Sequence, residues 1–537
     1  MSERTWDYIV VGAGSAGAII AARLTEDPDC RVLLLEGGGS DRTAICRVPG
    51  MVSVIHTVPQ VKKRFDWGYK TQPNPQTLDR KIPYVRGKVL GGSSAINGMV
   101  FVRGNKANYD GWAEDGCPGW DYASVLPYFR RFEDFEGGES ELRGAGGPIK
   151  ISRPTGISPV SEAFITAVAD TAGVPVLEDY NGAEQEGVSL FQLSSRDGVR
   201  YSTAEAYLHP NLNRPNLEVI TGALVDRVLI EEGRAVGVAW REGGRDVEGR
   251  VEREVVLSAG AVGSPAILLR SGIGPADELK ALDIPVHADL PVGRNLHDHL
   301  FFPLTFITPR GGHRGTATHF VSGMIRERLF GGTWFGRSVF EVVAFLKTDP
   351  SLSIPNLQLH SLPWAYPHPN QDDTTKRPEV DTRPAFTVQP TLIYPRSRGA
   401  LSLRSRDPGA EPRIDPQYLS DPHDAEVLMR GIAMTREIMA HPAIAPEVTL
   451  ELEPRMEGDA LRRELPNRVA TVYHPVGTCR MGMDQRAVVT PELTVRGIEG
   501  LRVADASIMP SVTGGNTNAP CMMIGEKAAD LLRGAPS

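Results

Sequence analysis

The sequence predicts an α/β fold, α+β over the whole chain, and three of its features carry that prediction. A β-branched run ends in a glycine turn at residues 12–17, a loop of glycines and adjacent serines occupies residues 87–99, and alternating apolar runs recur between residues 357 and 390. The 537 residues suffice for two domains around a large core. A hydrophobic content of 41% and a charged content of 23% are those of an ordinary soluble globular protein. The net charge of −8 argues against nucleic acid as the main partner, because no overall positive field attracts phosphates. Cys30, Cys46, Cys117, Cys479 and Cys521 are scattered without metal-ligand spacing, which points to reduced thiols. The first residues run directly into a strand, leaving no room for a signal peptide, and no apolar run approaches the ~20 residues that span a bilayer. The expectation is a soluble, cytoplasmic protein without stable membrane insertion.

The first element is the strand Tyr8-Ile9-Val10-Val11, which ends at Gly12-Ala13-Gly14-Ser15-Ala16-Gly17. A helical pattern follows from Ala18 to Leu24, and then a second strand, Val32-Leu33-Leu34-Leu35, ends on Glu36. This order is that of a Rossmann-like dinucleotide site. Gly12 permits the tight turn, Gly14 lets a pyrophosphate approach the helix N-terminus, Gly17 allows close packing of helix on strand, and Glu36 is placed for ribose hydroxyls. The motif by itself does not separate NAD from FAD. Gly87 to Met99 comes next, with four glycines, two serines and an asparagine, and forms neither a good helix nor a good strand. Its small side chains and free amides suit close approach to an anion. The third glycine-rich element follows the buried run Glu254-Val255-Val256-Leu257, with Ser264 read as an N-cap and Pro265 as the first residue of a helix ending at Ser271-Gly272.

Together these residues resemble the glucose–methanol–choline (GMC) family of FAD oxidoreductases. The resemblance is carried by two signature stretches, Gly87 through Asn97 with Phe101, Gly104 and Asp110, and Gly260 through Gly274. It extends to Phe65-Asp66-Trp67, Val102-Arg103-Gly104-Asn105, Tyr201-Ser202-Thr203-Ala204, Gly293 through His299, Ser397-Arg398-Gly399, His474-Pro475-Val476-Gly477-Thr478-Cys479 and Asp505-Ala506-Ser507. It covers nearly the whole chain and points to the branch of choline-dehydrogenase-like alcohol dehydrogenases. The family pattern implies an FAD site made by Gly12, Gly14, Ser15, Ala16, Gly17, Glu36, Trp67, Arg86, Val89, Gly91, Gly92, Ser93, Asn97, Gly98, Met99, Val100, Val225, Ala259, Asp505, Ala506, Asn516 and Thr517. Some relatives carry a histidine bonded to the flavin immediately before the asparagine of the first signature. Ile96 stands there and has no nucleophile, which implies non-covalent FAD.

The same resemblance implies alcohol oxidation, with His474 taking the hydroxyl proton and Asn516 donating a hydrogen bond to the substrate oxygen as hydride passes to flavin N5. Asn518 is the less favoured asparagine. A neutral imidazole with a pKa near ~6.5 suits a base at working pH. His297 and His299 form a histidine pair without cysteine or carboxylate ligands at suitable spacing, so no metal site is expected.

The FAD half is expected to be discontinuous, over 1–155, 212–300 and 455–537, and the substrate half, an antiparallel sheet with flanking helices, over 156–211 and 301–454. Leu357 to His360 and Ala385 to Pro390 read as strands of that sheet, and residues 311–336, rich in glycine and arginine, as an entrance loop or a surface insertion. A final helix is expected from about Met522 to Leu532. Tyr473, Trp364, Tyr366 and Glu341 are candidate walls for a quaternary ammonium such as choline, with an uncharged primary alcohol as the other substrate class. Oxidase activity with O2, lyase activity on cyanohydrins and light-driven decarboxylation stay open as alternatives within the fold. So does the electron acceptor: a quinone, a carrier protein or O2.

Overall fold

The structure is a computed structural model and describes residues 5–367 and 378–534. Residues 1–4, part of the stretch read above against a signal peptide, lie outside the described residues.

Thr5–Val11 sits at the centre of the first sheet, since Tyr8 to Val11 are apolar and buried on both faces. Val32–Glu36 pairs parallel with one side of it and Arg245–Leu257 with the other. Leu217–Thr221 extends the sheet beyond Val32–Glu36, and Leu501–Val503 pairs with the end of Arg245–Leu257, both in parallel. The start of that long strand turns back into an antiparallel meander with Arg234–Glu242 and Leu224–Glu231. Three parallel strands thus end side by side at Val11, Glu36 and Leu257, where such sheets hold their ligands. Gly12 N donates to Leu35 O at 2.7 Å and Ser258 N to Val11 O at 2.7 Å, which draws the three strand exits together.

The helix Gly17–Leu24 buries seven of its eight residues. It packs between the sheet and the last helix, Asn518–Arg533, at a backbone crossing so close that a Cβ on Gly525 would lie 2.8 Å from Ala16 O. That last helix begins four residues before the expected Met522. Pro520 falls in its first turn, where the missing N–H has no intrahelical partner to lose. Gly260–Arg270 also starts earlier than expected, so Ser264 and Pro265 lie inside the helix. Pro265 leaves the carbonyl of Ala261 without its helical donor, and the Thr478 hydroxyl replaces it at 2.8 Å. Ser264, read as an N-cap, instead accepts from Ala259 N at 2.9 Å and donates to Asp505 at 2.5 Å.

The second sheet is antiparallel. Its strands run Leu450–Glu453, Leu304–Ile307, Pro384–Leu392, Leu357–Leu362, Val342–Leu346 and Gly187–Leu190. Helices Pro159–Ala172 and Pro422–Ala440 pack against it. Leu300–Phe301 pairs with both Pro384–Leu392 and Ala470–Thr471, and the register Leu300 to Thr471 brings the chain before residue 300 alongside the chain after residue 471. Residues 311–336 are not a loop. They hold the short strand His313–Arg314, the helix Ala317–Phe330 and the turn Trp334–Gly336. Thr316 Oγ1 caps the helix on His319 N at 3.2 Å, and Gly323 lies flush under the Trp334 ring. The glycine that read as loop composition is here a packing residue.

Candidate active site

One cavity of about 800 Å³ runs from the glycine turn of the first sheet to the inner face of the second. Of the expected cofactor residues, Gly12, Gly14, Ser15, Ala16, Glu36, Trp67, Arg86, Gly92, Ser93, Asn97, Gly98, Val100, Val225, Ala259, Asp505, Ala506, Asn516 and Thr517 line it. Gly17, Val89, Gly91 and Met99 do not, and their work is to shape the wall from behind. A Cβ on Gly17 would stand 1.9 Å from Gly12 O, so glycine is required for the helix to meet the turn. Val89 is buried among Phe65, Val85 and Ile96. Gly91 N donates to Ala13 O at 2.8 Å, tying the signature loop to the turn. Met99 is fully buried, and its carbonyl accepts from Ser194 N at 2.7 Å.

The residues present fit a dinucleotide. The helix Gly17–Leu24 has no side-chain cap and no acid in its first turn, so its first amides remain for an anion. A Cβ on Gly14 would meet only Gly92 Cα, at 4.0 Å, and would otherwise occupy the cavity where a pyrophosphate must approach. Glu36 accepts from Ala13 N at 3.0 Å and Gly38 N at 2.7 Å, which leaves each carboxylate oxygen a lone pair for a hydroxyl. Burial pushes its carboxyl up to about 7. Asp505 accepts from Gly260 N at 2.8 Å and Ser507 N at 2.8 Å, anchoring two turns at the cavity wall.

At the other end, His474 and Asn516 stand together, with Asn516 Nδ2 3.2 Å from His474 Nε2. Both are half-buried and line the cavity. His474 follows Tyr473, a non-glycine residue at φ +67°, whose carbonyl is held by the Arg86 guanidinium. Its own N–H donates to Asp298 Oδ1 at 2.8 Å, and Asp298 is fixed in turn by Thr471 and Tyr418 hydroxyls at 2.5 and 2.7 Å.

The hydrogen-bond network assigns the tautomers. Ile393 O accepts from His299 Nε2 at 3.0 Å, and burial holds the His299 imidazole at about 3, so that ring carries one proton, on Nε2. Its Nδ1 is then a bare acceptor 3.1 Å from His474 Nδ1, which must donate. His474 Nε2 is left with a lone pair facing Asn516 and the cavity. Gln358 Nε2 donates to Asn516 Oδ1 at 3.3 Å, which turns the Asn516 amide nitrogen toward His474. Burial, then the neighbouring His299, His360 and Arg86, hold His474 well below the ordinary imidazole value, so the ring is neutral and keeps its lone pair on Nε2.

Asn518 points elsewhere, accepting from Ser15 Oγ at 2.7 Å. Among the proposed walls, Trp364, Tyr366 and Tyr473 line the cavity. Glu341 does not. It accepts from Ser158 Oγ at 2.7 Å, Ser161 Oγ at 2.6 Å and Arg337 at 2.8 Å, all buried away from the site. His297, whose imidazole burial holds at about 3, is a clamp: it bonds Asn295 O at 2.6 Å and accepts from Val512 N at 2.9 Å. No metal-holding cluster occurs among the described residues. The sequence reading gave no role to Asp298, His299, Gln358 or His360. The signal available for the first two was their block, His297-Asp298-His299, set directly before the strand that pairs with Ala470–Thr471.

Comparison with known proteins places this geometry. The GMC oxidoreductase family models match residues 6–301 and 395–525, more than half of the chain. The oxygen-dependent choline dehydrogenase of Sinorhizobium medicae is 40% identical over 544 residues, covering 98% of this chain and 95% of its own. Mouse mitochondrial choline dehydrogenase is 40% identical, covering 99% and 90%. Among solved structures, pyridoxine 4-oxidase from Mesorbium loti superposes with a TM-score of 0.88 at 30% identity, covering 99% of this chain and 100% of that one. Formate oxidase of Aspergillus oryzae gives 0.90 at 26%, covering 99% of each.

Proposed function

The chain belongs to the GMC oxidoreductases, FAD enzymes acting on CH–OH donors, and from that premise we propose that His474 is the general base and Asn516 the oxyanion donor of its alcohol oxidation. The observation that carries this reading is the order Ile393 carbonyl, His299, His474, Asn516, which leaves one basic nitrogen and one amide N–H side by side at the cavity wall. A hydroxyl placed before this pair donates to His474 Nε2 and accepts from Asn516 Nδ2. Bound FAD supplies the acceptor for the hydride of the alcohol carbon. As the proton moves to Nε2, His299 Nδ1 remains the acceptor of the His474 Nδ1 proton and steadies the imidazolium, while the Asn516 amide stabilises negative charge developing on oxygen.

The turn residues named above hold the cofactor, within a half assigned to 1–155, 212–300 and 455–537, and residues 156–211 and 301–454 roof it. FAD is held non-covalently, because Ile96 offers no bonding atom, and acid or heat is expected to release it free. Flavin left on the denatured chain would contradict this. Dehydrogenase chemistry is supported by the names of the relatives at 40% identity, and O2 as the acceptor by the words oxygen-dependent in one of those names and by the solved oxidases at 30% and 26%. An uncharged alcohol suits the walls better than choline. The two carboxylates lining the cavity among the described residues, Glu36 and Asp505, are both committed to the backbone of the first half, and Lys62 and Arg86 add positive charge. Five free cysteines support the cytoplasm as location.

The test is anaerobic stopped-flow reduction of the flavin by an alcohol series that includes choline, followed by admission of O2. His474→Ala is expected to keep its FAD and lose about 10²–10⁴ in the reduction rate. Near-normal reduction in that variant rejects the assignment of the base.

A further inference from the structure

The helix Ala317–Phe330 carries five large apolar side chains into solvent. Val321 is 45% exposed, Met324 42%, Ile325 51%, Leu329 67% and Phe330 80%. They are half of the ten exposed large hydrophobic residues among those described, gathered on one helix of fourteen residues. Scattered singly, such residues need no explanation; concentrated, they mark a surface that meets something. Val321, Met324, Ile325 and Leu329 fall on one side of the helix and form an outer apolar stripe, with Phe330 exposed at its end. Its inner side is apolar as well, with Phe320 against Trp334 and Phe335 and Gly323 under Trp334. A helix apolar on both sides is normally covered on both.

Charge selects the cover. Arg326 and Arg328 on the helix, and Arg310 and Arg314 in the segment before it, are exposed, and none forms an ion pair among the described residues. Glu327, the only acid on the helix, is turned inward, where it accepts from Thr333 N and Oγ1 at 2.7 Å each. The chain as a whole carries a net charge of −8, so this positive patch runs against the sign of the molecule. A second copy laid on the same face across a two-fold axis would set arginines against arginines. Apolar side chains to insert and arginines to meet phosphate are the two halves of an interfacial helix.

We propose that the outer face of Ala317–Phe330 docks reversibly on an anionic lipid bilayer. No helix among the described residues is long and apolar enough to cross a membrane, so the contact is peripheral. Thr316, Ala317, Phe320 and Val321 of the same segment line the cavity. Docking therefore sets the roof of the substrate end against the lipid boundary, where an apolar alcohol partitions out of water.

The holoenzyme is sedimented with vesicles of phosphatidylcholine containing one-third phosphatidylglycerol, and with vesicles of phosphatidylcholine alone. Binding to the anionic vesicles is expected to be roughly tenfold tighter or more and to weaken with salt. The combined variant Ile325→Ser, Leu329→Ser and Phe330→Ser is expected to lose that binding by about tenfold or more, with flavin content and turnover of a water-soluble alcohol unchanged. Arg326→Gln with Arg328→Gln is expected to lose the preference for the anionic vesicles. Equal binding of the holoenzyme to both vesicles, or undiminished binding by the serine variant, overturns the proposal. So does light scattering that shows a dimer dissolved by the serine substitutions, which gives the face to a second copy.

Discussion

At the nucleotide end of the cavity the wall is backbone: Gly12 lies against Ser258 and Gly92 against Gly14, so a side chain at Gly12 or Gly92 is excluded by geometry. At the substrate end the wall is side chains, with Trp364, Tyr366, Phe320 and Phe340 contributed by the second sheet and its roof. The difference decides what each end tolerates and how it is written in the sequence. Backbone approach has one solution per position, so it leaves fixed glycines at fixed spacing. A side-chain wall has many solutions of similar volume and leaves no motif.

The comparison is broken most directly at its stiff end. Gly92→Val places a Cβ 2.8 Å from Gly14 Cα at a residue whose φ is +53°, and is expected to yield protein with little or no bound flavin. An absorbance ratio near that of the parent protein would show that the turn yields after all. Next comes the network behind His474. His299→Ala removes the acceptor that fixes the tautomer, and is expected to lower kcat about 10–100-fold with KM little changed. His299→Gln can both accept from His474 and donate to Ile393, and should recover most of that loss. A merely structural His299 predicts no such recovery.

Smaller effects follow. Thr478→Val leaves the carbonyl freed by Pro265 without a donor and should cost about 1–3 kcal/mol in denaturant unfolding. Acid stability reports on three buried imidazoles, His297 and His299 at about 3 and His360 at about 4. Between pH 6.5 and those values the unfolded chain binds protons that the folded chain refuses. Their contribution is therefore complete above 6.5 and is lost as pH falls, each by about 1.4 kcal/mol per pH unit. Tm should drop on acidification from neutral pH, and a flat profile through that range would show these rings to be charged in the fold.

How much was legible follows the same division. The turn at residues 12–17, the loop at 87–99 and the strands around 357 and 390 were readable, because each is a local pattern with a local cause. His474 and Asn516 were named through family resemblance, since one histidine among twelve carries no local mark. His299 was not found, because its role depends on a strand pairing between Leu300 and Thr471 and on the main-chain carbonyl of Ile393, which has no letter in the sequence. Glu341 was misplaced as a wall for the same reason: its partners Ser158 and Ser161 lie far away in the chain. Residues 311–336 were read as an entrance loop or a surface insertion because glycine and arginine are common in loops, while Trp334 over Gly323, which marks a packed helix, is a tertiary fact.

The last helix rests on the first one at Gly525, and Asn518 accepts a hydrogen bond from Ser15. The strand Leu501–Val503 likewise completes a sheet begun at Thr5. During synthesis, then, the ribosome must reach the helix Asn518–Arg533 before the nucleotide turn acquires its backing. Flavin capture must wait for that helix, and the first sheet stays open to misassociation until partners encoded about five hundred codons downstream arrive.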